Sequence, residues 1–164
     1  MMKVLIVLAV LIVAIPLLAL ATLLIGLRYR IAPIVDTVRR FNKKVTNRRV
    51  LRDAGTAGSP RALIRHVGRR SGRTYDTPVD VIPTDTGYVV ALPYGTRADW
   101  LRNVLAAGSA TVVTDGATVP IDQPALVPTA AVAGHLSPGT RLTLRLFRVD
   151  RCLQVRRAPV RESA

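Results

Sequence analysis

Hydrophobic positions are distributed along this chain in three distinct ways. Residues 4–27 are uncharged and almost wholly apolar, with no polar stripe. About 20 such residues, rising about 1.5 Å each, cross the hydrocarbon core of a bilayer, so the run predicts a transmembrane helix. Pro16 lies inside it, and within a membrane neighbouring groups or a local adjustment satisfy the carbonyl that a proline frees. Residues 31–51 place Ile34, Val35, Val38, Phe41 and Val45 at spacings of three and four, the pattern of an amphipathic helix with a basic back. A Gly-Thr-Ala-Gly-Ser-Pro break at 55–60 follows, and beyond it short β-branched runs alternate with turn residues.

Those runs predict a folded domain over residues 60–158. Residues 61–67, 77–83 and 87–92 read as three antiparallel strands in a meander, the last two joined across the turn Thr84-Asp85-Thr86-Gly87. Residues 99–107 carry Trp100, Leu101, Val104 and Leu105 on one helical face, and Gly108 is placed as a C-terminal cap. Residues 110–114 and 118–121 flank Asp115-Gly116, a two-residue hairpin signal. Residues 129–136 suit a short helix, and Ser137-Pro138 an N-cap with proline in the first turn. Residues 141–147 read two ways: Leu142, Leu144 and Leu146 alternate with Arg141, Thr143 and Arg145 as in a strand, against the helix-start signal before them. Residues 151–156 close the series as a last strand. The fold class is mainly β with helices, α+β, behind an N-terminal membrane helix. The divisions are an anchor at 1–30, a linker at 31–59, the domain at 60–158 and a tail at 159–164.

Charge refines this picture. A net charge of +14 points to anionic partners such as a lipid surface, nucleic acid or a phosphate- or carboxylate-rich ligand. Arg28, Arg30, Arg39, Arg40, Lys43, Lys44, Arg48, Arg49 and Arg52 follow the apolar run, against Lys3 before it. This asymmetry predicts a cytoplasmic C-terminal domain. A cleavable signal peptide has a shorter apolar core and a small-residue cleavage site, whereas here Arg28-Tyr29-Arg30 follows directly, which favours an uncleaved anchor. The basic segment after it suits anionic lipid, and no aromatic interleaving or reading motif argues for nucleic acid. Cys152 is the only cysteine, which excludes an intrachain disulfide, and His66 and His135 have no metal-ligand spacing.

The candidate chemistry is concentrated in the basic turn that follows His66-Val67. In Gly68-Arg69-Arg70-Ser71-Gly72-Arg73, Gly68 and Gly72 can take positive φ and let the backbone approach a ligand, while three arginines flank the Ser71 hydroxyl. Two readings fit these residues: a cradle for an anionic cofactor, and a tight hairpin whose arginines point into water.

Gly68-Arg69-Arg70-Ser71-Gly72-Arg73, then Pro78, then Ala91-Leu92-Pro93-Tyr94-Gly95, then Trp100-Leu101-Arg102-Asn103, taken in that order, resemble the deazaflavin-dependent nitroreductase family of actinobacteria, over roughly residues 61–121. The resemblance implies a split β-barrel similar to the flavin-binding split barrels, and coenzyme F420 as cofactor, with FMN as the alternative. By resemblance Arg69, Arg70, Ser71 and Gly72 hold the phosphate and acidic tail with Arg73 beside them. Pro78 and Val79 lie by the deazaflavin ring, Leu92, Pro93, Tyr94 and Gly95 line the cofactor, and Trp100 and Asn103 belong to the helix that closes it. Trp100 on an apolar helix face equally suits a place in the core. Tyr94 stands where some members carry a basic residue, Ala98 where some carry a proline, and no tyrosine follows Tyr94, so the family's substrate is not carried over. The expected function is a membrane-anchored F420H2-dependent reductase acting on a quinone such as menaquinone, or on a nitro or enone-type acceptor. The alternative is a tethered F420- or FMN-binding module without turnover. Split barrels often pair through their sheets, so a homodimer is a further partner to consider.

Overall fold

Asp80 separates two strands, Thr74–Val79 and Val81–Pro83, that lie at opposite ends of one sheet. The computed structural model describes residues 2–29, 31–41 and 50–159. Its elements are α1 (Met2–Arg28), α2 (Ala32–Phe41), β1 (Ala62–Val67), β2 (Thr74–Val79), β3 (Val81–Pro83), β4 (Gly87–Ala91), α3 (Asp99–Ala107), β5 (Ser109–Thr114) and β6 (Ala117–Pro128). A 3-10 helix (Thr129–His135), α4 (Pro138–Leu146) and β7 (Arg151–Arg157) complete it. The sheet runs β2-β1-β5-β6-β7-β4-β3 with every pair antiparallel. Residues 79 and 81 flank a single residue and cannot be far apart. The sheet therefore curls until its edges approach, giving an α+β half-barrel.

The interior of the curl is the main core. Ile64, Val90, Val112, Ile121, Leu153 and Val155 point into it and are at most 2% exposed. Leu101 and Val104 of α3 are fully buried against them, because positions three apart share one helical face. The helix stops as its pattern predicts, with Gly108 at φ 68° and its N–H donating to the Val104 carbonyl at 3.0 Å. Two smaller clusters cover the outer face: Val89, Val132 and Cys152 beneath the 3-10 helix, and Leu136, Leu144 and Val149 beneath α4.

Two sequence expectations change and one open reading is decided. The strand expected at 77–83 is two strands bent at Asp80: β2 pairs with β1 and β3 with β4, as the meander expects, but the two pairs lie at opposite ends of the sheet and the other neighbour of β4 is β7. No glycine or proline marks the bend, so the β-branched run conceals it. The strand expected at 118–121 runs on as β6 to Pro128, through a bulge between Asp122 and Ala125 with Gln123 at φ 48°. The prolines that obscured its length sit in a strand the bulge has already irregularised. Residues 141–147 are helical. Ser137 caps α4, its Oγ accepting the Thr140 N–H at 3.1 Å, with proline in the first turn. The cap prevails over the alternation, and Leu144 turns inward while Leu142 and Leu146 remain 59% and 53% exposed.

Among the described residues α1 is the one helix long and apolar enough to cross a membrane; a signal sequence has the same character. Its Gly26 lies so close under Ile34 of α2 that a Cβ there would overlap that side chain. The amphipathic helix expected at 31–51 is described as α2 up to Phe41, and residues 42–49 lie outside the described residues.

Candidate functional site

The basic turn joins β1 to β2, and its backbone is closed by its own hydrogen bonds. The Gly68 N–H donates to the Arg73 carbonyl at 2.8 Å, and the Gly72 N–H to the Gly68 carbonyl at 2.8 Å. Gly72 has φ 64°, the left-handed conformation glycine takes without strain. Gly68 is required for a different reason than expected: its φ is not positive, but a Cβ there would lie 2.5 Å from Ser71 Oγ and 2.8 Å from the Tyr75 ring. The close approach is to the protein's own side chains. Tyr75 in turn stacks on His66, centroids 5.9 Å apart, and its hydroxyl meets Ser71 Oγ at 3.1 Å.

Alternation along β1 turns Ala62, Ile64 and His66 toward the interior, so an imidazole sits at the buried end of an apolar row. His66 is 4% exposed and Asn103 of α3 is 6% exposed. Asn103 Oδ1 accepts from the Arg69 backbone N–H at 3.2 Å and from Arg69 Nη1 at 2.8 Å. Its carboxamide oxygen is thereby engaged, so its NH2 donates to His66 Nδ1 at 3.2 Å. The proton of the neutral ring then lies on Nε2, 3.2 Å from Thr77 Oγ1; this tautomer follows from the hydrogen-bond network. Burial pushes the His66 pKa below its ordinary 6.5, with the Asp76 charge and the Val67 backbone opposing more weakly. No buried side-chain nitrogen or oxygen among the described residues lacks a partner.

This network gives the arginines different tasks. Arg69 also reaches the Asp99 carboxylate at 3.4 Å, and its side chain is 26% exposed. It is a strut between turn and α3. Asp76 is held by Arg65 through paired bonds of 2.9 and 3.0 Å. With both neighbouring carboxylates engaged, Arg70 and Arg73 stand exposed beside the Ser71 hydroxyl. Neither makes an ion pair or side-chain hydrogen bond among the described residues. Two unmatched guanidinium groups and a hydroxyl on a rigid turn suit an oxyanion-bearing ligand.

The remaining candidates lie on other elements, Pro78 and Val79 at the end of β2 remote from the turn. Pro78 and Val79 lie on the edge strand β2, opposite Leu63 and Ala62, and Val79 packs partly against the core. Leu92 is 3% exposed, so its side chain belongs to the core, and its carbonyl accepts the Gly95 N–H at 2.9 Å. Pro93 and Tyr94 are exposed, and Gly95 has φ 74°; this turn leads within a few residues to Asp99. Trp100 is half-buried against the main core. The structure thus brings Asn103 directly to the turn through Arg69, whereas Leu92 and Trp100 serve the core. Sequence reasoning missed the network of His66, Thr77, Tyr75 and Asp99; the inward alternation of β1 was the signal for His66. An open crevice of about 380 Å³ lies at the other end of β1, lined by Arg61, Val81, Tyr88 and Arg157 among others.

No protein-family model matches the sequence, and no curated protein sequence does. Among solved structures the chain is similar to an F420-H2 dependent reductase (FDR-A), at 15% identity and TM-score 0.43, over 58% of this chain and 93% of that one. It is similar to HutZ, the heme storage protein from Vibrio cholerae, at 13% identity and TM-score 0.42, over 62% of this chain and 84% of that one. A third, described as a domain-swapped dimer, is 16% identical with TM-score 0.48, over 73% of this chain and 97% of that one. These likenesses concern the arrangement of the sheet and carry no ligand to this chain.

Proposed function

We propose that this chain is a membrane-anchored F420H2-dependent reductase, its barrel on the cytoplasmic side, acting on a quinone or on a nitro or enone-type acceptor. The observation that carries the proposal is the pair of arginines, Arg70 and Arg73, without a side-chain partner among the described residues, beside Ser71 on a turn locked to α3 by Arg69 and Asn103. A phosphodiester with a polycarboxylate tail matches that donor set, because guanidinium groups form paired, charge-assisted bonds to both kinds of oxyanion. FMN offers a phosphate without the acidic tail and engages fewer of these donors.

When bound, the reduced deazaflavin supplies the hydride, so the chain needs no acid–base triad. Its own Arg70, Ser71 and Arg73 would hold the tail at the turn, Pro78, Val79 and residues 93–95 are assigned to the ring, and fixing ring and acceptor relative to one another would be the chain's contribution. Neutral His66 works one layer below, keeping Asn103 and hence Arg69 in place. A membrane anchor favours an acceptor dissolved in lipid, which is the reason for naming a quinone.

The test is single-turnover oxidation of F420H2 bound to the full chain in liposomes. Reduced cofactor is expected to be consumed when menaquinone analogues are present in the bilayer. Binding without consumption by quinone, nitro or enone acceptors would leave a cofactor-holding module instead, and consumption by soluble acceptors alone would remove the quinone.

A further inference from the structure

We infer that the outward face of α4 seats on the anionic headgroup surface of a lipid bilayer, at the foot of α1. The inference rests on the reading of α1 as a membrane anchor. The nine-residue α4 turns Leu144 into the fold, which leaves Leu142 and Leu146, one helical turn apart, facing outward at 59% and 53% exposure. Neither has a role in the core. Arg145 and Arg148 are exposed close by in sequence, while Arg141 donates from Nε to the Leu136 carbonyl at 2.9 Å, so the face pairs an apolar ridge with neighbouring basic residues, the composition of a helix that lies in a membrane interface. Arginine stems reach along apolar surface while their heads meet phosphate.

What covers this face is indicated by where α1 ends. Arg28, the last residue of α1, donates from Nη1 to the carbonyl of Leu146, the last residue of α4, a cation placed on the negative end of a helix. Tyr29 lies under Arg148, whose guanidinium carbon is 5.1 Å from the ring centroid, with that of Arg28 at 5.9 Å. The end of a 27-residue apolar helix and the leucine ridge are therefore joined at one corner of the molecule. A bilayer that takes up α1 meets Leu142 and Leu146 at its surface, and tyrosine and arginine are side chains suited to that depth. A second copy of the chain fits poorly, because a two-fold contact through α4 would set the same arginines against one another.

The experiment places a single environment-sensitive fluorophore on Leu142→Cys or Leu146→Cys in the full chain, reconstituted with phosphatidylglycerol vesicles. Native Cys152 is buried and burial pushes its thiol pKa up, which leaves the introduced cysteine the reactive one. Thr118→Cys in the β5–β6 hairpin is the aqueous reference. Both leucine sites are expected to give blue-shifted emission and to lose it to doxyl-labelled lipid, and adding Arg145→Glu should reduce that loss. Protein that floats with vesicles while both labels keep water-like emission overturns the inference and leaves the anchor standing. Protein that does not float overturns both. Labels shielded from lipid and from aqueous iodide alike, with cross-linking that rises with protein concentration, would assign the face to a second copy and overturn it too.

Discussion

Asn103 is the residue on which the candidate site turns, since one carboxamide ties Arg69 of the turn to buried His66. Asn103→Ala removes the acceptor of two bonds and leaves the imidazole short of a partner, a loss of about 2 kcal/mol in urea unfolding by the usual cost of an orphaned buried group. The pH dependence has a definite sign. Folded His66 holds its proton more weakly than the unfolded chain does, because its pKa lies below 6.5. The stability linked to it is complete above that value and is lost as pH falls through 6.5 toward the folded pKa. Urea midpoints measured from about pH 8 down to about pH 5 should decline, and His66→Gln should flatten part of that slope. A slope identical in the variant would contradict the assignment of a neutral, buried imidazole.

At the scale of elements, the two turn glycines separate by mechanism. Gly68→Ala drives a methyl into Ser71 and Tyr75 and should cost about 1 to 3 kcal/mol, as overpacking does. Gly72→Ala meets open space but keeps φ at 64° and should cost about 1 kcal/mol. Thermal unfolding of the two variants checks that order. Elements with local signals were legible in the sequence: the α3 face and its Gly108 stop, the Asp115-Gly116 hairpin, the Ser137-Pro138 start of α4. The bend at Asp80 and the pairing of β4 with β7 were not, because barrel closure is a long-range event and a lone Asp between β-branched residues is a weak local signal. The basic turn was legible from its composition as a glycine-containing turn with exposed arginines. The division of its arginines into one strut and two groups without a side-chain partner among the described residues was not, since it depends on Asn103 and Asp99 from a helix some 30 residues on.

For the whole molecule, a curled sheet presents one rigid basic turn, and the apolar helix α1 is joined to α4 on the outer layer of the same fold. The central claim is that Arg70 and Arg73 bind the anionic tail of a deazaflavin cofactor. Fluorescence titration of the full chain with F420, repeated with FMN and with the variants Arg70→Ala, Arg73→Ala and Asn103→Ala, tests it most directly. Each arginine removed should weaken F420 binding roughly tenfold, given about 1.5 kcal/mol for a charge-assisted bond and about 1.4 kcal/mol per decade of affinity, while the unfolding midpoints of the two arginine variants, unlike that of Asn103→Ala, stay near the parent's. FMN should bind more weakly than F420, and added salt should weaken F420 further. F420 binding that is absent from the parent, or unchanged when both arginines are removed, would contradict the account.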